Sequence, residues 1–311
     1  MFRRIVTRTL PDGSVRSVCP FHVSLEGLEE FILCRDDQDY DVMVKYIFLC
    51  ARRKNVLPVI YIVMSNHAHV AILSENQQVS DAFVKELKRC YSLYFSLRYR
   101  EKKVLARTHA FVQQLDSDPY VRNVLAYIPR NALDAGVRIE DYRWSGYRAM
   151  FRSGQEYAST GATKNRAVRN LSRRQCFDLM HTRDDLREVS WMLDPDGCIE
   201  PSSACDTAYL DSAFLGDQAF FLKTIGAVNP SEMRHRLEDV FSGRLTDSEF
   251  YKEVNTLCQR WFQKELSLLS LTEKIRLLPY VYRTRRTTIP QLARCFSLPR
   301  DSIAKYLGKR P

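Results

Sequence analysis

The chain has 311 residues and a formal net charge of +10 at pH 7, and 45% of its residues are hydrophobic. This length suits two or three domains, and the hydrophobic fraction excludes a chain that is disordered throughout. No apolar run reaches the roughly 20 residues that a membrane-spanning helix needs, and the N-terminus lacks the apolar stretch of a signal peptide. We therefore expect a cytosolic protein, and the positive charge favours a polyanionic partner.

The nine cysteines are scattered along the chain and form no C-x-x-C pair. In a chain without a signal peptide, this spacing supports neither a zinc knuckle nor a disulfide framework. We expect most of the cysteines to be buried, reduced thiols.

The first 155 residues have the pattern of an α+β unit. Apolar runs typical of strands lie at residues 18–25, 57–64 and 67–73. Apolar side chains recur at helical spacing over residues 42–53, which predicts a first helix. The sequence therefore predicts a sheet with packed helices in this part of the chain.

A long amphipathic helix follows the third predicted strand, with Ser80 as its expected N-cap. Its polar positions carry Lys85, Lys88 and Arg89, which are candidates for phosphate contacts, while a merely solvated face explains them equally well. Its apolar face is more typical of a core than of a base-stacking surface, and its large side chains are Phe83, Leu87, Tyr91 and Phe95.

The rest of the chain carries fewer signals. Residues 156–175 are polar and basic, which predicts a linker or an exposed basic segment. Residues 176–280 are predicted to be mostly helical, and we find no chemical motif among them. The last residues, 281–311, form a separate unit by their pattern.

His67 and His69 are two residues apart in a run that is predicted to be a strand. Because side chains alternate along a strand, both imidazoles project from one face. Two neighbouring imidazoles on a rigid element make half of a metal site. A chance pair without function is the alternative, since a chain with six histidines can contain one by accident.

Tyr127 and Asn131 are four residues apart in a helix predicted from Pro119 to about residue 132, so they would share one face. Pro129 lies between them, and it would remove an internal hydrogen bond and kink the helix. A phenol and an amide oxygen can supply a nucleophile and an oxygen ligand. Seen alone, one of sixteen tyrosines is more simply interpreted as a core residue.

Residues 288–307 have the spacing of a helix-turn-helix. Ala293 is the small residue where two helices would cross, Ser297 lies at the turn, and Ile303 would face inward from the second helix. We predict an accessory element that binds duplex DNA, and a helical hairpin that serves only packing is the alternative. The residues expected on its reading helix are Arg300, Ser302 and Lys305.

Five stretches in one order together resemble the single-tyrosine HUH transposases, and most closely the REP-associated subgroup. Residues 64–72, MSNHAHVAI, resemble the strand that carries the paired histidines in that family. The other four stretches are RDDQDY at 35–40, YSLYF at 91–95, AYIPRNALDAGV at 126–137 and YRWSGYR at 142–148. The resemblance covers residues 18 to about 151.

This resemblance implies an HUH or ferredoxin-like nuclease domain over residues 1–155, with the histidines on an antiparallel sheet and the nucleophile on a packed helix. It implies that His67, His69 and Asn131 bind one divalent ion, Mg²⁺ or Mn²⁺, and that Tyr127 is the nucleophile. The family cleaves and rejoins single-stranded DNA through a 5′-phosphotyrosine, in DNA transposition and recombination. Single-stranded or hairpin DNA is therefore the expected partner.

The chain departs from the family pattern at a few positions. Glu26 stands where relatives have arginine, Ala132 replaces the proline after Asn131, and Pro129 lies inside the motif. Residues 106–111 match a further family loop only weakly, and Arg107 within them is a candidate for DNA contact. The four residues that would do the chemistry are all present.

Two other functions stay open. One is a non-catalytic DNA-binding regulator that uses the helix-turn-helix. The other is a two-histidine phosphoesterase acting on RNA ends, which needs a pair of H-x-[ST] motifs that the sequence does not contain. By resemblance the protein would be bacterial, cytoplasmic and nucleoid-associated, and its assembly state stays open, a homodimer included.

Overall fold

The structure is a computed structural model, which describes residues 2–26, 31–100, 109–151, 166–227, 245–285 and 287–308. Within these residues the fold is α+β, with an antiparallel sheet covered by helices, as predicted. No helix of the described residues is long and apolar enough to cross a bilayer.

One antiparallel sheet organises the first part of the chain. Its strands are β1 (Val6–Thr9), β2 (Val15–Glu26), β3 (Leu57–Val63), β4 (Ala68–Ser74) and β5 (His109–Gln114). The long strand β2 is central: β4 pairs with residues 19–25, while β1 and β5 pair with residues 15–18 and 21–26. β3 forms a hairpin with β4, which places residues 64–67 at one end of the sheet.

The alternation of side chains along the strands gives the sheet two buried faces. One face lies against α1 (Asp37–Arg53) and α2 (Gln77–Tyr99), and its strand residues include Phe21, Val23, Val70 and Ile72. The other face lies against α3 (Asp118–Arg130), and its strand residues include Ile60, Ile62, Ala71 and Leu73. From residue 19 onward, odd-numbered residues of β2 face α1 and α2, as do the even-numbered residues of β4. The alternate residues of both strands face α3.

Helix α2 begins four residues earlier than predicted. Its N-cap is Asn76, whose Oδ1 accepts a hydrogen bond from the Val79 backbone N–H at 3.0 Å. Ser80, the predicted cap, lies inside the helix, where its hydroxyl donates to the Asn76 carbonyl at 3.1 Å. Asparagine caps helices as well as serine does, so two candidates competed in one stretch. The apolar stripe of α2 is buried, as expected of a core.

The segment from residue 166 onward packs on the sheet rather than forming a linker. β6 (Arg166–Ala167) pairs with β7 (Met192–Leu193), and Val168 and Leu171 are buried in the core that contains α1 and α2. The sequence predicts a linker or an exposed basic segment over 156–175, and residues 166–175 match the exposed segment, because their four arginines are exposed around the buried Val168 and Leu171. Residues 156–165 lie outside the described part of the chain. The short helices that follow are α4 (Arg173–Met180), α5 (Pro201–Ala204), α6 (Thr207–Ala213) and α7 (Gln218–Ala227).

Helix α7 is anchored beside α3 by an aromatic cluster. Phe221 is 0% exposed, and its ring centroid lies 5.0 Å from that of Phe214 and 5.5 Å from that of Phe151. Arg122 of α3 donates a hydrogen bond to the Ala213 carbonyl at 2.7 Å. The last part of residues 166–227 is therefore integral to the face that α3 covers.

Replacing Phe221 with alanine is expected to destabilise the protein by about 3–5 kcal/mol, because it removes a fully buried ring and leaves a cavity. Leu222→Ala on the same helix is the matched control, since Leu222 is 51% exposed. Its expected effect is within about 0.5 kcal/mol. Urea unfolding curves of the two variants measure both values, and equal midpoints would contradict the packing of α7 on α3.

The C-terminal helices form a third core. They are α8 (Asp247–Phe262), α9 (Leu271–Thr284), α10 (Ile289–Phe296) and α11 (Arg300–Tyr306). The boundary predicted at residue 281 falls inside this core, because Leu277 and Val281 of α9 are buried with Phe296 and Ile303. Ser297 stands at the turn between α10 and α11 in the left-handed region, with φ of 52°.

Asp247 connects this bundle to the end of the sheet. Its carboxylate accepts hydrogen bonds from Ser65 Oγ at 2.6 Å and from Arg294 Nε at 2.6 Å. Ser65 lies two residues before His67, so the loop that carries His67 is held by the C-terminal helices.

Seven of the nine cysteines are buried and all nine are free thiols, which confirms the prediction of mostly buried, reduced cysteines.

Candidate functional site

His69 is the most buried of the predicted site residues that carry a titratable side chain. It lies in β4 on the face covered by α3, and it is 2% exposed. In the register of the sheet it stands opposite Ser24 of β2 and Ile62 of β3. The alternation of β4 therefore turns His69 toward the helix that carries Tyr127.

His67 immediately precedes the first residue of β4 and is half-buried. Its ring centroid lies 5.1 Å from that of His69, so the H-x-H pair projects to one side as expected. The Nδ1 atom of His67 lies 2.8 Å from the Oδ1 atom of Asn66. Because an amide oxygen only accepts, Nδ1 is the protonated nitrogen of this ring, and Nε2 carries the lone pair.

His22 joins this pair from the neighbouring strand. It lies in β2, and its Nε2 is 3.2 Å from Nδ1 of His69. His22 lies outside the five stretches that carry the family resemblance, and its local signal is a histidine between Phe21 and Val23 in an apolar strand. The missing information was the register of β2 against β4, which decides whether two strand residues meet.

The contact between His69 and His22 is compatible with a metal-ligating tautomer of His69. When Nδ1 of His69 donates to His22, Nε2 of His69 carries a lone pair, just as Nε2 of His67 does. Partners that hold one ring nitrogen in this way fix the tautomer and orientation of a metal-binding histidine. Burial and the charges of His67 and His22 lower the pKa of His69 to about 2, so the imidazole stays neutral, as a metal ligand must be.

This lowered pKa predicts a pH-dependent stability of the metal-free protein. Above the ordinary pKa of 6.5, His69 is neutral in both the folded and the unfolded chain. As the pH falls below 6.5, only the unfolded chain takes up the proton, so stability is lost by about 1.4 kcal/mol per pH unit. The expected loss from His69 between pH 7 and pH 5 is about 2 kcal/mol.

Urea unfolding in EDTA at these two pH values tests this expectation. The comparison is with His69→Asn, which cannot titrate in this range. The wild type should lose more stability than the variant on acidification. Equal losses would show that His69 accepts a proton in the folded protein.

Tyr127 lies on α3 over the buried His69 and the half-buried His22. Its ring centroid is 5.3 Å from that of His69 and 6.4 Å from that of His22, both in edge-to-face geometry. The side chain is 38% exposed, although most residues beside it in α3 are buried. A phenol that touches a histidine pair and also reaches solvent is accessible to a polymer substrate.

Asn131 follows the end of α3, since the α-helix stops at Arg130 and a 3₁₀ turn begins at Asn131. Its Nδ2 donates to the Tyr127 carbonyl at 2.9 Å and to the Ile128 carbonyl at 3.2 Å. These bonds satisfy carbonyls at the end of a helix that contains Pro129. Both donors of the amide are thereby used, and Oδ1 is the atom suited to a cation.

The ligand set predicted from the sequence, two imidazole nitrogens and an amide oxygen, is of a type that suits Mn²⁺, while Mg²⁺ would keep several waters. The structure places the two imidazoles side by side, and the Asn131 amide contacts carbonyls of α3. Among the described residues, one group of three His, Cys, Asp or Glu side chains has metal-ligand spacing, and it consists of Cys50, Glu86 and Cys90. There Arg53 lies 3.1 Å from Glu86 and 3.3 Å from Cys90, so a cationic side chain already contacts two of the three groups. Arg53 would therefore compete with a cation for that cluster.

The predicted DNA-binding residues are spread over the molecule. Lys85, Lys88 and Arg89 lie on α2, on the opposite side of the sheet from Tyr127, and Arg89 is paired with Glu86 at 2.7 Å. Arg107 lies outside the described residues. On α11, Arg300 and Lys305 are exposed and Ser302 is half-buried. The structure therefore brings together His67, His69 and Tyr127 from the predicted set, and it adds His22.

The two ends of this histidine group open to different surfaces. His67 lines a cavity of about 360 Å³ that also includes Asp134 and Asp247. Tyr127 and His22 line a separate groove against α7.

Comparison of the chain with family models, with curated proteins and with solved structures finds no match. The side chains of this site are therefore the basis for any statement of function.

Proposed function

We propose that the protein cuts and rejoins single-stranded DNA, with Tyr127 as the nucleophile. The observation that supports this proposal best is the contact of the Tyr127 ring with His69, at a centroid distance of 5.3 Å, beside the His67 ring. A neutral phenol is a weak nucleophile, and a cation held by the neighbouring imidazoles would favour loss of its proton. The net charge of +10 is consistent with a polyanionic substrate.

In the proposed cleavage step, the phenolate oxygen of Tyr127 attacks the scissile phosphorus after its proton passes to solvent. The bond between phosphorus and the 3′ oxygen breaks, and the departing oxygen takes up a proton as a 3′-hydroxyl. The phosphate at the 5′ end of the downstream strand stays bonded to Tyr127. A later attack by a 3′-hydroxyl reverses these changes and rejoins two strands without an external energy source.

His67 and His69 would hold a Mn²⁺ or Mg²⁺ ion, with Asn131 Oδ1 as the expected oxygen ligand. When bound, such an ion offsets the negative charge on the non-bridging phosphate oxygens. His22 orients the ring of His69 through the 3.2 Å contact. The chain thus contributes ligand orientation through His22 and Asn66, and the nucleophile through α3.

The C-terminal helices support an accessory role in binding duplex DNA. Arg300 and Lys305 lie on the exposed side of α11, while Ile303 is buried in the core below. A short helix with exposed cations after a tight turn is a suitable arrangement for a groove of DNA. A regulator that uses only this element is the alternative function, and it requires no covalent step.

A phosphoesterase with two H-x-[ST] motifs is less well supported. His22 and Ser24 on β2 match one such motif, and β4 carries His69 beside His22. Ala71, however, stands where the second motif needs a hydroxyl. One of the two hydrogen-bond donors of that site would therefore be missing.

The direct test is a search for the covalent adduct. The protein is mixed with Mn²⁺ and a library of hairpin oligonucleotides that have randomised single-stranded flanks and a label at the 3′ end. The expected product is a labelled band that survives SDS and requires the metal, because the downstream strand stays on the protein. A library labelled at the 5′ end should instead release a free labelled fragment.

Mass spectrometry then locates the attachment. Trypsin releases residues 123–130, NVLAYIPR, which contain one tyrosine, Tyr127. A nucleotide on this peptide would establish the nucleophile. Failure of the wild type to form any adduct with single-stranded DNA would leave the DNA-binding regulator as the better interpretation.

A further inference from the structure

A groove runs along the exposed side of α3 beside Tyr127. Its volume is about 740 Å³, and its two walls come from α3 and α7. Residues from three parts of the chain line it, and they are His22, Tyr120, Asn123, Val124, Tyr127, Phe220, Lys223 and Thr224. The α7 wall comes from residues 176–280, the region for which the sequence provided no role.

The α7 wall is a fixed part of the fold. Phe221 anchors it in the aromatic cluster with Phe214 and Phe151. The guanidinium of Arg122 lies 5.5 Å from the ring centroid of Phe2 and 5.7 Å from that of Phe220, and it joins α3 to the groove wall. Since α3 also carries Tyr127, the position of Tyr127 relative to the groove is fixed by the same packing.

The groove has the two features that bind an unpaired strand, which are a cation for the backbone and an aromatic ring for a base. Lys223 is an exposed lysine in the groove wall, opposite the helix that carries the nucleophile. Tyr120 is half-buried and stands seven residues before Tyr127, which is two helical turns on the same face, or about 10 Å along the axis. Asn123 adds an exposed amide between them.

We propose that this groove holds the unpaired DNA strand next to the cut site, with Lys223 on a backbone phosphate and Tyr120 stacked on a base. The proposal rests on the proposed nicking activity and adds the path of the substrate. It assigns α7 a role in the site, so the active centre extends beyond the first 155 residues. The predicted contacts on α2 lie on the other side of the sheet and would bind a different part of the DNA.

Binding of fluorescein-labelled oligo(dT) to the wild type in EDTA tests the groove without any cleavage. The fluorescence anisotropy is measured over a range of salt concentrations for the wild type and for Lys223→Ala. Loss of one phosphate contact on a single strand lowers the slope of log K against log salt by about 0.7. Loss of the ring in Tyr120→Leu should weaken binding by about tenfold at constant slope.

Lys54→Ala is the matched control. It removes the same charge from the turn before β3, at the opposite end of the β3–β4 hairpin from His67. A fall in slope for Lys223→Ala and an unchanged slope for Lys54→Ala would support the groove. Equal slopes for the two variants would overturn it.

The two proposals fail in different ways. If the wild type forms no covalent adduct, the nicking activity is wrong, whatever the anisotropy shows. If the adduct forms and Lys223→Ala binds oligo(dT) like Lys54→Ala, the activity stands and the path of the strand is wrong.

Discussion

Tyr127→Phe is expected to abolish the covalent adduct and to lower single-strand cleavage by at least about 10⁴-fold, as the loss of a catalytic nucleophile does in other covalent mechanisms. The substitution removes one oxygen and keeps the ring that touches His69 and His22. Folding and DNA binding should therefore be unchanged. The adduct is measured on SDS gels, and binding is measured by anisotropy in EDTA.

Tyr280→Phe provides the control for this experiment. Tyr280 lies on α9, outside the proposed site, and is 39% exposed, close to the 38% of Tyr127, and the variant loses the same hydroxyl group while the ring remains. Its adduct should form at a rate close to that of the wild type. If the adduct persists in Tyr127→Phe, another residue is the nucleophile, and α3 does not carry the catalytic group.

The strand pattern of the first 75 residues was the most predictable part of the fold. Runs of apolar residues marked β2, β3 and β4, and the alternation in β4 placed both histidines toward one side. These features are local, because they depend on the period of the chain and on its turn residues. The contact of Tyr127 with His69 joins a helix and a strand 58 positions apart, and the periodicity of the chain does not predict such a long-range contact.

The register between strands was beyond the sequence analysis. His22 meets His69 because β2 and β4 pair with Ser24 opposite His69. If the register shifted by one residue, His22 would face α1 and α2 instead of His69. Whether His22 meets His69 therefore depends on the pairing of two strands that are distant in the sequence. The same limit applies to α2, whose cations could not be assigned to a side of the sheet in advance.

The limits of the units predicted between residues 156 and 280 also depend on long-range contacts. Residues 166–227 have short helices and mixed charges, which locally resemble a linker and a separate helical region. Their buried residues contribute to the two cores of the sheet, as Leu193 does on one side and Phe221 on the other. Such long-range packing leaves no periodic signal in the segment itself.

His67→Ala is expected to lower the cleavage rate by about 10³-fold, comparable with the loss of a group that stabilises charge in the transition state. His67 is half-buried at the end of the sheet, so its removal should cost little stability. The same variant should bind Mn²⁺ more weakly, which a calorimetric titration measures. Oligo(dT) binding in EDTA should not change, because the phosphate contacts proposed above lie in the groove.

The histidines should show graded effects. His22 touches His69 and would orient it without binding the ion, so His22→Phe should lower the cleavage rate by about 10–100-fold. His181 is the control histidine: it lies beside Tyr94 on the side of the sheet that α1 and α2 cover, and its φ of 52° suits asparagine. His181→Asn should cleave like the wild type.

This order separates a metal centre from a structural histidine cluster. If the three imidazoles only filled space between β2, β4 and α3, the buried His69 and its partner His22 would matter most, and the loss would follow stability. In a metal centre, loss of the ligand His67 should instead lower the cleavage rate more than loss of His22 does. The effect of His67→Ala should appear in Mn²⁺ affinity and in rate. Cleavage by His67→Ala at the wild-type rate in Mn²⁺ would exclude the histidine pair from the reaction, even if Tyr127 still carried the DNA.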